Sequence, residues 1–252
     1  MRRLLPELIA LPLLPLLLVQ GRHTRANTPR LPEASGERAG MALPGMAGES
    51  CGSGPTALTL LGVGESPVAG VGVARQEQAI TAQLAVALAA GTGRAVQWRA
   101  CGRNGATVRD ALNELVQQVP PDPVDVLLVA FGVNDAVAFR RVGAWQQDVL
   151  ALLQQLRERC SPGVVLLSGV PPMQEFPTLP RPLRWVLGLK AAALDRGLQL
   201  LAQERAWLRH VPIVLDTRND ATLCAQDGYH PSAEGCRIWA GLLANAYLES
   251  KQ

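Results

Sequence analysis

Five short apolar runs alternate with five longer stretches of helical period, and this alternation leaves the chain few folds to adopt. The runs fall at residues 57–63, 95–100, 124–131, 163–169 and 211–215, and the periodic stretches at 76–90, 107–118, 145–159, 183–203 and 232–248. Val126, Leu127, Leu128 and Val129 are all apolar, so this run suits a strand buried on both faces. Strand followed by helix, five times over, predicts an open parallel sheet between two helical layers. Such sheets hold their ligands beyond the carboxyl ends of the strands, so the loops that follow the runs are where chemistry is expected.

Those loops carry three polar constellations. The first run leads into Gly62-Val63-Gly64-Glu65-Ser66-Pro67, the second into Gly102-Arg103-Asn104-Gly105-Ala106-Thr107, and the third into Phe131-Gly132-Val133-Asn134-Asp135. Glycine beside a polar group lets the backbone approach a substrate closely. Taken singly, each reads as readily as a turn or a helix cap. A fourth feature lies near the end of the chain, Asp227-Gly228-Tyr229-His230-Pro231, which sets a carboxylate three residues before an imidazole on a turn that glycine and proline both favour. His23 lies in a basic stretch and His210 beside a strand; only His230 has a carboxylate and turn residues built around it.

In order along the chain, these blocks resemble the SGNH (GDSL-type) hydrolase superfamily, including its lysophospholipase-like esterases. The family's Gly-Asp-Ser block appears as Gly64-Glu65-Ser66, its oxyanion glycine as Gly105, its Gly-x-Asn-Asp block as Gly132 to Asp135, and its Asp-x-x-His-Pro block as Asp227 to Pro231. The resemblance covers residues 57–247 and implies a three-layer α/β/α sandwich, flavodoxin-like, with a parallel five-stranded sheet. It also implies Ser66 as nucleophile, His230 as its base and Asp227 as the acid that orients the ring. The oxyanion donors are then the backbone N–H groups of Ser66 and Gly105 and the side-chain amide of Asn134, whose loss would cost turnover strongly. Glu65 departs from the family's usual aspartate by one methylene and is expected to organise the loop by hydrogen bonding.

The resemblance implies a serine esterase acting on small-molecule or lipid-like esters, with no cofactor and no metal. The alternatives are a carbohydrate O-deacetylase and a non-catalytic, membrane-associated binding protein of the same fold. A dinucleotide site fails on spacing, because Gly62-x-Gly64 is followed by Pro67 and the next glycine is Gly70. Lys and Arg number 24 against 21 Asp and Glu, a balance too even to suggest a nucleic-acid partner. The proline-stiffened loop 171–180 carries Met173, Phe176 and Leu179, which either wall an acyl pocket or pin the loop to the body.

The remaining features bear on location and organisation. Residues 1–20 are apolar behind Met1-Arg2-Arg3, and a second basic cluster, Arg22, His23, Arg25 and Arg30, follows. The segment reads as an uncleaved membrane-associating anchor, with a cleaved signal peptide and a secreted or periplasmic domain as the alternative; a helix tucked onto the domain is disfavoured. Residues 21–55 read as a linker or extended arm and 56–252 as the hydrolase domain. The five cysteines, Cys51, Cys101, Cys160, Cys224 and Cys236, form no metal-binding pattern; they read as buried thiols, with a Cys224–Cys236 bridge as the alternative. The five tryptophans read as packing residues, with a membrane contact as the alternative for Trp185, whose neighbours Arg181 and Arg184 otherwise read as a solvated loop face.

Overall fold

The computed structural model describes residues 5–45, 57–217 and 219–249. Its strands are β1 (Ala39–Ala42), β2 (Leu58–Gly64), β3 (Val96–Gly102), β4 (Val126–Ala130), β5 (Val164–Ser168) and β6 (Leu208–Val211). Its helices are α1 (Leu5–Asn27), α2 (Ser66–Ala69), α3 (Ile80–Thr92), α4 (Val108–Asp110), α5 (Val116–Gln118), α6 (Val133–Val137), α7 (Val142–Cys160), α8 (Leu183–Gln203) and α9 (Ala233–Glu249). A π turn over Ala111–Leu115 joins α4 to α5.

The strands form one sheet in the order β1-β3-β2-β4-β5-β6. β2 to β6 are parallel, and β4 and β5 are buried at every position, as their apolar runs (Val126–Ala130 and residues 164–167) require. Two apolar clusters flank the sheet. One joins α3 and α9 to it through Ile80, Leu84, Leu88, Trp239, Leu243 and Tyr247. The other joins α7 and α8 through Trp145, Leu152, Leu156, Leu187, Leu194 and Leu198. The result is the expected three-layer α/β/α sandwich. β2 lies between β3 and β4, so the chain's winding reverses there and opens a crevice at the carboxyl end of β2.

Three features differ from the sequence reading. The sheet has six strands, not five. The added one, β1, comes from the presumed arm and pairs antiparallel with β3, Ala39 opposite Arg99 and Ala42 opposite Val96. The last strand is Leu208–Val211 and not 211–215, because Pro212 has no N–H to donate to a ladder. Ile213 and Leu215 are nonetheless buried in irregular backbone, which explains their apolar pattern. Finally, α1 packs on α8. Ala10 and Leu17 join the core, Glu7 pairs with the fully buried Lys190, and the Gln20 side chain donates to the Arg181 carbonyl (2.7 Å) and accepts from the Leu183 N–H (3.1 Å). The opposite face of α1 is bare: Leu8, Leu11 and Val19 are more than 60% exposed.

Two close approaches fix the crevice. Gly64 ends β2 where a Cβ would sit 2.7 Å from the Ala130 carbonyl oxygen, and Gly132, at φ +140°, passes Val170 where a Cβ would sit 2.5 Å from Cγ2. Gly132→Ala therefore combines a strained backbone with a clash and is expected to lower stability by roughly 1–3 kcal/mol. A urea denaturation midpoint equal to the parent's contradicts this packing.

Candidate active site

Ser66 opens α2 directly beyond β2, with Pro67 in the first turn, where a missing N–H costs no helical bond. The Glu65 N–H donates to the Ala130 carbonyl at 3.0 Å, which ties this turn to the end of β4. Ser66 is 7% exposed and lines a cleft of about 470 Å³, open to solvent. His230 lines the same cleft, so the structure brings together residues 164 positions apart in sequence.

Asp227 holds the histidine from three directions. Its Oδ2 lies 2.6 Å from His230 Nδ1, and its Oδ1 accepts the backbone N–H groups of Tyr229 and His230, each at 3.0 Å. Burial works against charge on this carboxyl, yet the bonds from the His230 ring and from the two N–H groups together hold it below the usual carboxylate value. With Nδ1 engaged by Asp227, Nε2 is the nitrogen left to act on another group. Gly228, at φ +61°, makes the turn, and Thr178 Oγ1 braces it by donating to the Asp227 carbonyl at 2.6 Å.

Of the three expected oxyanion donors, the Ser66 and Gly105 N–H groups have no acceptor among the described residues. Gly105 sits exposed at φ +76° on the turn after β3. Asn134 is differently placed. Its Nδ2 donates to Glu65 Oε2 at 2.6 Å and to the Ala106 carbonyl at 3.2 Å. Glu65 also accepts the backbone N–H groups of Val133 (2.9 Å) and Asn134 (3.1 Å). It thus organises the loop, as expected, and additionally grips the Asn134 side chain. Asp135, fully buried, accepts the Val108 N–H at 3.1 Å and so joins the β4 exit to the start of α4.

The pocket residues divide. Phe176 lines the cleft and meets the Tyr229 ring edge to face, centroids 5.0 Å apart. Met173 and Leu179 are buried in the core and do not line it. The apolar wall is completed by Val133, Pro171, Leu215, Leu223 and Trp239. Sequence reasoning passed these by, because each is an apolar residue at a position that packing alone accounts for. A smaller cavity of about 180 Å³ shares Glu65, Pro67, Pro171 and Trp239 with the cleft and reaches Ser168. The Trp239 indole donates to Ser168 Oγ at 3.1 Å. Cys101, Cys160, Cys224 and Cys236 are free thiols, while Cys51 lies outside the described residues. Among the described residues no cluster of three or more His, Cys, Asp or Glu side chains is placed to hold a metal ion.

This fold, with its serine-bearing turn at the winding reversal, defines an α/β/α sandwich of the SGNH hydrolase type. Residues 63–238 match the GDSL-like lipase/acylhydrolase family, and the chain belongs to that family. A GDSL-like esterase of Mycobacterium tuberculosis is 26% identical over 200 residues, 75% of this chain, which spans only 61% of that relative's length. Among solved structures, TesA is similar with a TM-score of 0.56 and 22% identity, covering 75% of this chain and 97% of its own. The psychrotrophic esterase EstA from Pseudoalteromonas sp. is similar with a TM-score of 0.55 and 18% identity, covering 76% of this chain and 97% of its own.

The Glu65 carboxyl has a consequence measurable without any substrate. Burial, reinforced by Asp135 and only partly offset by the bonds from Val133 and Asn134, raises its pKa from 4.5 to about 7. The folded protein therefore binds this proton more tightly than the unfolded chain. The contribution is fully present below pH 4.5 and is lost as pH rises through 7, a loss of roughly 3 kcal/mol. Urea midpoints measured from pH 4.5 to 8 should show this decline in the parent, and Glu65→Gln should remove that component. Identical pH profiles for the two proteins would exclude a buried titrating Glu65.

Proposed function

We propose that the chain is a serine hydrolase of carboxylic esters, with Ser66 as nucleophile, His230 as general base and then general acid, and Asp227 as the carboxylate that orients the ring. The observation that carries this reading is the placement of Ser66 in one cleft with a histidine whose Nδ1 is held 2.6 Å from a buried carboxylate. His230 takes the Ser66 proton as the hydroxyl attacks the ester carbonyl, and returns it to the leaving alcohol as the tetrahedral intermediate collapses. Water then repeats the sequence on the acyl-enzyme. The Ser66 and Gly105 N–H groups are the donors for the oxyanion.

An acyl chain has an apolar path along Phe176, Leu215, Leu223 and Trp239, which favours simple or lipid-like acyl esters over acetylated carbohydrates. Two of the protein's relatives, the mycobacterial protein and EstA, are esterases, and EstA has been solved inhibited by monoethylphosphonate, which supports this chemistry. Ser66→Ala is expected to reduce hydrolysis of p-nitrophenyl acetate to the uncatalysed background while the fold persists. A rate equal to the parent's removes Ser66 from the mechanism.

We also propose that α1 seats the domain on a lipid surface. Among the described residues it is the one helix long and apolar enough to cross a membrane, with a mean hydropathy of 1.3. Leu8, Leu11, Leu14 and Leu18 are exposed along it, and α8 exposes Trp185 and Leu189, with the Arg181 guanidinium 5.1 Å from the Trp185 ring. A leader peptide removed on secretion is the competing account. Flotation with phosphatidylcholine/phosphatidylglycerol vesicles tests the lipid contact itself. The purified full chain should float, and Leu11→Glu with Leu18→Glu should bind at least tenfold more weakly. Equal flotation of variant and parent, or none by either, rejects the lipid surface.

A further inference from the structure

The one residue that departs from the family's usual sequence is also the one that occupies the oxyanion machinery. A side-chain amide has two hydrogens to donate. In Asn134 one goes to Glu65 Oε2 at 2.6 Å and the other to the Ala106 carbonyl at 3.2 Å. Neither is left for a substrate oxygen. An aspartate at position 65 would draw its carboxylate back by about 1.5 Å, more than a bond of 2.6 Å can absorb.

We propose that Glu65 is a positioning residue that latches the Asn134 amide away from the oxyanion hole, so that the site rests with two donors and gains the third only when Glu65 releases it. This inference rests on the serine-hydrolase reading. Release follows protonation. Both Asn134 bonds end on Oε2, and protonation removes the negative charge that strengthens them, so the hold on the Asn134 backbone and side chain weakens together. The Asn134 amide is then free to reach the oxyanion, whose negative charge makes it the stronger acceptor.

The surroundings fit a group that changes charge near neutrality. Asp135 lies on the same turn as Asn134, Tyr229 feels the Glu65 charge, and Cys224 and His230 line the same cleft from the 224–231 segment. Arg103, on the loop after β3, directs its guanidinium to Asp110 and Glu114, so no cation from that loop neutralises Glu65. Burial and Asp135 hold the Glu65 pKa at about 7.

The test is a double-mutant cycle on the full chain, with kcat for p-nitrophenyl acetate measured from pH 6 to 9. Glu65→Asp should raise kcat at pH 8 by about 10- to 100-fold, the scale of one oxyanion donor. Asn134→Ala should cost at least tenfold more in the Glu65→Asp background than in the parent. The parent's kcat should fall as pH rises above 7, and that of Glu65→Asp should not. A buried carboxylate acting only through its charge would leave the alkaline fall in Glu65→Asp. Equal Asn134→Ala losses in both backgrounds overturn the latch. If Glu65→Asp does not fold, the parent's profile decides, since a kcat that climbs to a plateau at pH 9 overturns it too. Each of these outcomes is read with Ser66→Ala inactive. If Ser66→Ala remains active, the serine-hydrolase reading fails first, and the latch with it.

Discussion

Everything in the proposed site depends on how Asp227 is held. It is buried, yet three hydrogen bonds converge on it, two from the backbone of the turn that carries His230 and one from the imidazole itself. Backbone bonds keep the carboxylate charged in a place that would otherwise favour its neutral form. A charged Asp227 fixes the tautomer and direction of the ring. Because Asp227 and His230 share one short turn, their geometry does not depend on distant packing; only the placing of that turn against β2 does. Thr178, Phe176 and Gly72 supply the placing, through a hydrogen bond, an edge-to-face ring contact and a close approach to the Pro231 carbonyl.

The opposite wall of the cleft is built by a different device. β2 and β4 end side by side, and their exits are tied by the Glu65 N–H bond to Ala130 and by the bonds from Val133 and Asn134 to the Glu65 carboxylate. This carboxylate is the least favourable charge in the site. It is buried without a cation beside it among the described residues, and burial raises its pKa accordingly. One residue therefore couples loop order, local charge and the position of the Asn134 amide. A turn built this way has its properties set by the length of one side chain.

Much of this was legible in the sequence, for physical reasons. The parallel strands announce themselves because burial on both faces demands unbroken apolar runs such as Val126 to Val129. Asp227 and His230 are legible because a stiff turn with a fixed separation is a local property. Most of the misses are non-local. β1 is four residues, Ala39–Ala42, with no run to mark it, and it exists only because the edge of β3 is there to pair with. Pro212 marked the end of β6, but the apolar residues beyond it masked that signal. Nothing near Lys190 reveals that its partner is Glu7, 183 positions away. Glu65 was visible as a departure, but its grip on Asn134 required the two strand exits to be seen together.

The most direct measurement is mass spectrometry of the chain after reaction with a fluorophosphonate, because such a reagent bonds to a serine whose proton has somewhere to go. The account predicts a single phosphonyl adduct on the peptide carrying Ser66, and its loss in His230→Ala. An adduct that survives His230→Ala, or one on any other serine, would contradict it.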